Sequence, residues 1–368
     1  MTNSPRILGF ADSRSSKIAI PLSSLPDSEV ITVANREGFS KYPYLFRSGY
    51  QRIVSDPPDV LLANYPGRLG STVLSLGRFT RTPVVIRVGG DFWRTNREEL
   101  RRELRNWNIR SALARSGQIG LNELFGTNSD GYLVVSNELR RLVATRTGLS
   151  LERVRRVPVP INEAQYRRGD PEIGREYVAR DSGRILLTVT NLRFKGKIEG
   201  VRHLVQEVQP LLRAHSDLSY VIAGGGRYLD NLRRYLDRNV PEAIRDRIVT
   251  TGFVSNVVDL YAAASVFVYC SYIDGYPNVI SEAMASGLPI IANAAHGMVE
   301  QITHDETGLL VSTHCRGEFT SGIARLLSND DLAARLGSAA QQRVTVRNDP
   351  NRIGREMATA LSEILMVI

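Results

Sequence analysis

Short apolar runs recur along the chain, each followed by a longer stretch with apolar positions spaced three and four apart. Runs of the first kind read as strands buried on both faces, and the longer stretches as amphipathic helices laid over them. In the first half the strands fall at 6–10, 30–33, 60–64, 84–88, 132–136 and 154–158. A polar stretch over 163–183, with Gly169, Pro171 and Gly174, breaks the rhythm. The pattern then restarts, with strands at 185–190, 220–223, 248–251, 266–269, 289–292 and 308–311 and helical patterns such as 200–214 and 227–239. Alternation of this kind predicts an α/β chain of two doubly wound parallel domains. The expected division is a first domain at 1–165, a linker at 166–183 and a second domain at 184–351, with a closing helix at 352–368 packing back on the first. Ligands are expected in a central cleft outside the carboxyl ends of the strands.

Composition narrows the class. The chain has 368 residues, 42% hydrophobic and 23% charged, which suits a globular protein of two cores. Its net charge is +9, and residues 1–165 hold 24 basic against 15 acidic side chains, so the whole excess lies in the first half. Much of it falls in 94–115, which reads as one charged amphipathic helix. A one-sided basic surface attracts an anionic membrane, a phosphorylated lipid or an acidic glycan. Nucleic acid is not an expected partner, because no recognition motif stands beside the charge. Two cysteines, Cys270 and Cys315, make no disulfide framework. Neither an apolar leader over residues 1–17 nor an apolar run of about 18 residues is present, so the expected location is cytoplasmic, with peripheral contact on the inner face of the membrane. The five histidines, His203, His215, His296, His304 and His314, have no metal-ligand spacing, and neither a metal nor another cofactor is expected.

The chemistry concentrates in residues 274–292, DGYPNVISEAMASGLPIIA. A strand feeds a loop with Gly275 and Pro277, and a helix begins near Asn278 and stops at Gly287. The unpaired N–H groups of a helix start at the mouth of a parallel sheet make an anion site. Asp274 precedes that helix and Glu282 lies in its first turns, so two carboxylates bracket the anion position and can accept hydrogen bonds from vicinal hydroxyls. One would suit a sugar ring and the other a ribose. The simpler roles of these residues are a turn at Asp274 and a helix-dipole carboxylate at Glu282.

This segment resembles glycosyltransferase family 4, whose signature is two acidic residues with seven residues between them in a Gly-Pro-Asn loop and helix. Val221 to Gly226, Thr251 to Val254, Leu260 to Ala264 and Thr307 to Val311 extend the resemblance over 185–311. It implies the GT-B fold, two Rossmann-like doubly wound domains facing a central cleft. It also implies transfer of a sugar, with retention, from a nucleotide diphosphate to a glycan or lipid-linked acceptor. In that family the second acid binds the ribose and the first the transferred sugar, which implies Glu282 and Asp274. The backbone of Gly275, Tyr276, Pro277, Asn278 and Val279 would touch sugar and phosphates, Val254 the base, and Gly225 would lie in the glycine-rich turn. Lys197 matches the family's diphosphate lysine. The matching arginine position is Asn191 here, and Arg193 or Lys195 is expected to compensate; two of only four lysines in the chain lie in this loop. On the acceptor side, Gly90 and Asp91 take the place of a histidine common among relatives, the simpler role being a turn with Trp93 packed inside.

A same-face reaction asks the protein for positioning and charge stabilisation more than for a general base. Catalytic weight therefore falls on Asp274, Lys197 and Glu282. Two other readings stay open: a catalytically silent nucleotide-sugar-binding subunit, in view of Asp274 and Asn191, and an epimerase of the same fold. A nicotinamide dehydrogenase is disfavoured, because the first strand runs into Gly9, Phe10, Ala11, Asp12 and Ser13 without G-x-G-x-x-G.

Overall fold

The computed structural model describes residues 4–11, 17–32, 40–126, 128–178 and 183–368. It divides into two compact units, Met1–Pro160 with Pro350–Ile368, and Ile161–Asp349. Asp12, Ser13 and Val33, which the sequence reading placed in or after strands, lie outside the described residues, as do 179–182 of the expected linker.

The first unit is built on six parallel strands: β1 (Ile7–Ala11), β2 (Ser28–Thr32), β3 (Val60–Asn64), β4 (Val84–Val88), β5 (Gly131–Val134) and β6 (Val154–Arg156). Their spatial order is β2-β1-β3-β4-β5-β6. Every residue of β1, β4 and β5 is buried, as expected of strands covered on both faces, and the one charged residue among them, Arg87 of β4, donates to the Val157 and Pro158 carbonyls. One face packs Ile7, Val60, Leu62, Val85 and Leu133 against Ile353, Met357, Leu361 and Ile364 of the helix Pro350–Leu365. That helix lies so close to β5 that a Cβ on Gly131 would come within 2.7 Å of the Ile364 side chain.

The second unit repeats the plan with β7 (Arg184–Val189), β8 (Leu218–Ala223), β9 (Ile248–Gly252), β10 (Val266–Tyr269), β11 (Ile290–Asn293) and β12 (Leu309–Val311), in the order β12-β11-β10-β7-β8-β9. The chain winds outward from β7 through β8 to β9, then returns to lay β10 on the other side of β7. The connections after β7 and β10 therefore leave the sheet in opposite directions, and a crevice opens where they part. This switch point positions the candidate site.

All twelve expected strands occur, with ends moved by at most two residues. The charged stretch 94–115 is not one helix: it is split into Phe92–Arg105 and Ile109–Gly126. Asn106 caps the first, Trp107 takes a left-handed backbone with φ 53°, and the Asn108 side chain accepts a 3.3 Å bond from the Ser111 N–H. An asparagine side chain that satisfies the backbone outside the helix competes with its continuation, as Asn108 does at this break. In the polar stretch after the first unit, Asp170 caps a short helix, Pro171–Arg175. Gly174 presses on the helix Val258–Ala263, where a Cβ would lie 2.1 Å from the Asp259 carbonyl oxygen.

Candidate functional site

Close approaches bring the segments after β7 and β11 against the loop after β10. The helix Lys195–Ala214 starts just beyond β7, and its Gly196 and Gly200 face the loop after β10. A Cβ on Gly200 would sit 2.0 Å from the Cys270 carbonyl oxygen, and one on Gly297 would sit 1.9 Å from that of Gly275. The Asn293 side-chain amide clamps Ser271, accepting from its N–H and donating to its carbonyl, both at 3.1 Å. Gln301 fastens the next turn, its Nε2 donating to the Pro277 carbonyl at 3.0 Å and to Ser281 Oγ at 2.9 Å. The β10 loop is thus held from both sides before any ligand arrives.

In this frame Lys197 and Asp274 meet. Lys197 Nζ lies 3.1 Å from Asp274 Oδ1, with both side chains largely buried. The Tyr269 hydroxyl donates to Asp274 Oδ2 at 2.5 Å and accepts from Lys197 Nζ at 3.4 Å. Burial pushes the Tyr269 phenol well above its ordinary value, and the Asp274 carboxylate pushes it further, so the hydroxyl stays protonated and keeps donating. It holds one carboxylate oxygen while the ammonium holds the other. Tyr269→Phe is expected to lower the unfolding free energy by about 1.5–3 kcal/mol, the range for a hydrogen bond to a charged group. A urea titration reads this directly, and an unchanged midpoint would mean that Asp274 does not depend on the phenol.

Glu282 has its own aromatic support. It lies in the second turn of the helix Asn278–Ala285, and its Oε2 accepts from the Tyr261 hydroxyl at 2.9 Å. Tyr166 also hydrogen-bonds it; burial raises that phenol, and the charge of Glu282 raises it further. Both phenols are therefore donors at neutral pH, and they hold a carboxylate that can accept about four hydrogen bonds. The helix start has no side-chain cap and no acidic residue in its first turn. Beside it Asn278 Oδ1 is buried without a partner. Uncapped N–H groups and an orphaned amide oxygen make a polar end suited to an anion with hydroxyls.

The other candidates fall into distinct settings. Gly225 lies in the turn after β8, where Gly224 at φ 143° and Gly226 at φ 144° bring the backbone against Thr190 and Leu192. A Cβ on Gly225 would be 3.3 Å from the side chain of Phe253, the neighbour of half-buried Val254, and Phe253 is itself 83% exposed. Tyr276 and Pro277 are buried, while Gly275 and Val279 are half-buried. Lys195 points outward to Glu199 at 3.4 Å, and Arg193 is exposed and forms no ion pair among the described residues. Gly90 and Asp91 belong to the first unit. Asp91 caps the helix Phe92–Arg105 through a 2.8 Å bond from the Arg94 N–H, and Trp93 is packed inside, 6% exposed. Among the described residues no group of three or more His, Cys, Asp or Glu could hold a metal, and no helix is long and apolar enough to cross a membrane.

Sequence reasoning missed Tyr269, Tyr261, Tyr166, Asn293 and Gln301. The first signal was available: Tyr269 is the last residue of a buried strand at the switch point, where a hydroxyl-bearing aromatic needs a partner.

Residues 183–329 match the family model described as Glycosyl transferases group 1. The N-acetyl-alpha-D-glucosaminyl L-malate synthase of Bacillus anthracis is 26% identical over 204 residues, 54% of this chain and 51% of that protein. The GDP-mannose-dependent alpha-(1-6)-phosphatidylinositol monomannoside mannosyltransferase of Mycobacterium tuberculosis (strain CDC 1551 / Oshkosh) is 30% identical over 158 residues, 40% of each chain. The chain thus spans about half the length of the first of these curated relatives, and less of the second. Among solved structures, HepE of Anabaena in complex with UDP aligns over 97% of this chain and 99% of its own at 16% identity, with a TM-score of 0.71. The fold is therefore GT-B, and residues 183–329 are similar to the glycosyl transferases group 1 family.

Proposed function

We propose that the chain is a retaining, hexosyl-type glycosyltransferase that moves a sugar from a nucleotide diphosphate to a hydroxyl of a glycan or lipid-linked acceptor. The observation that carries this reading is the meeting of Lys197 and Asp274 at the switch point, beside an uncapped helix start and Glu282. Glu282, held by two phenols, accepts the ribose hydroxyls. The first amides of the helix Asn278–Ala285, with Lys197 and exposed Arg193, stabilise the leaving diphosphate. Without donor, Lys197 and Asp274 neutralise each other. A diphosphate draws the ammonium to itself, and the freed carboxylate turns to the sugar hydroxyls, with Tyr269 still holding its other oxygen. Asp274 is one methylene shorter than the glutamate usual in the family, and the phenol orients its carboxylate. The backbone of Gly275 to Val279 lines sugar and phosphates, the Gly225 turn and the Val254 backbone lie toward the base, and Lys195 lends charge at the rim. Gly90 and Asp91 stand on the acceptor side, with Asp91 also capping its helix. The mannosyltransferase relative, whose name includes a phosphatidylinositol mannoside, and the basic first half together favour a lipid-linked acceptor at the cytoplasmic face of a membrane.

The test is a thermal shift with UDP, GDP, ADP and dTDP, followed by product analysis with the winning sugar conjugate. A diphosphate present at about 100 times its Kd adds ~2.7 kcal/mol to stability. One clear winner, and transfer that needs an acceptor, are expected. A winner whose sugar is only isomerised would make the chain an epimerase, and binding without turnover on any acceptor would make it a silent subunit.

A further inference from the structure

The turn between the helices Phe92–Arg105 and Ile109–Gly126 is unlike the rest of the first unit. Every residue from 104 to 111 is exposed. Trp107 is 85% exposed and sits at φ 53°, a backbone conformation that bulky side chains rarely adopt. Leu104, Ile109 and Leu113 are 58%, 62% and 68% exposed, and Ile109 and Leu113 lie one turn apart on one helix face. Burial of a core does not explain four large apolar side chains held outward together.

Their charge surroundings say what covers them. Residues 104–122 contain no aspartate or glutamate. The acids of the first helix are already engaged further back: Glu98 with Arg94, and Glu99 and Glu103 with Arg102, while Arg115 reaches across to Glu99 at 2.9 Å and ties the two helices together. Arg101, Arg105 and Arg110 are exposed and form no ion pair among the described residues. The tip thus offers an indole and three aliphatic side chains ringed by unpaired guanidinium groups. Indole favours the headgroup level of a bilayer, aliphatic side chains the acyl boundary beneath it, and arginines the lipid phosphates above.

We propose that this turn docks the first unit on an anionic lipid surface, with Trp107, Leu104, Ile109 and Leu113 entering the interface and Arg101, Arg105 and Arg110 engaging the headgroups. The proposal deepens the reading of a lipid-linked acceptor and rests on it for its purpose alone, because lipid binding is measured without donor or acceptor.

The experiment is flotation of the full chain with phosphatidylglycerol–phosphatidylcholine vesicles and with pure phosphatidylcholine vesicles, read together with tryptophan emission. The chain has two tryptophans, and Trp93 is buried, so a change in emission reports Trp107. Co-flotation with the anionic vesicles, a blue shift and loss of binding at high salt are expected. Trp107→Ser with Leu113→Ser should weaken binding about tenfold or more, and Arg105→Glu with Arg110→Glu should weaken it at least as much. These side chains are exposed, so each variant should keep its circular dichroism and its diphosphate thermal shift. Wild-type protein that stays unbound, or variants that bind as the wild type does, overturn the proposal. So does a dimer that Trp107→Ser converts to monomer without vesicles, which would give the patch to a second copy. Vesicle binding without sugar transfer leaves the surface standing and removes the proposed function; transfer without vesicle binding does the reverse.

Discussion

Replacing Lys197 by alanine is expected to lower kcat/KM for sugar transfer by about 10²–10³-fold, the usual loss when one preorganised donor to a developing negative charge is removed. Its ammonium is 3.1 Å from Asp274 and 3.4 Å from the Tyr269 hydroxyl, so it is held at the switch point until a diphosphate draws it away. The substitution also leaves the Asp274 carboxylate without its cation, and breaking a buried pair on one side costs about 3–5 kcal/mol as an upper figure. A fall in activity alone would therefore be ambiguous. Adding Asp274→Asn to Lys197→Ala removes the unpaired charge, and the double variant should regain most of the stability and none of the activity. Initial rates and urea midpoints for the two proteins separate the effects. Lys197→Arg should not restore turnover, because a planar guanidinium does not fit a pocket shaped around a compact ammonium.

Glu282→Ala should cost about 10²-fold in kcat/KM, since a carboxylate accepting hydroxyl hydrogen bonds contributes roughly 1.5–3 kcal/mol for each charged bond lost. It also strands the Tyr261 and Tyr166 hydroxyls. Glu282→Gln keeps an acceptor oxygen for them, and its loss should be smaller, about tenfold. The same order, wild type above Gln above Ala, should appear in the thermal shift with the cognate diphosphate. Near-normal rates in a correctly folded Glu282→Ala would remove the residue from the ribose role.

The strands were legible because parallel strands covered on both faces are almost wholly apolar, and β1 and β10 are written that way. Asp274 and Glu282 were legible because both lie in one contiguous loop and helix. What the sequence hid depends on residues far apart along the chain. Tyr269 at a strand end looks like a core aromatic until β10 lies beside β7 and Lys197, 72 positions away, reaches its hydroxyl. Gln301 reads as a surface amide until it is found under Pro277. The break at 106–108 was hidden for a different reason: the charged pattern runs on through it, while the Asn108 side chain takes a backbone N–H of the second helix and Trp107 turns the backbone. Of the two residues expected to stand in for Asn191, Lys195 is exposed with Glu199 3.4 Å away, and Arg193 is exposed.

The discontinuity of the first unit has a consequence for the newborn chain. Synthesis delivers all six strands of its sheet early, but the helix that covers Ile7, Val60, Leu62, Val85 and Leu133 is made only after the whole of Ile161–Asp349. The second unit is continuous and can close its core first, so the order of maturation reverses the order of translation. Throughout that interval the nascent first sheet carries a bare apolar face, the kind of surface that chaperones hold and that aggregates without them. A polypeptide released just after Asp349 would carry a sound second unit attached to one that has no lid for its core.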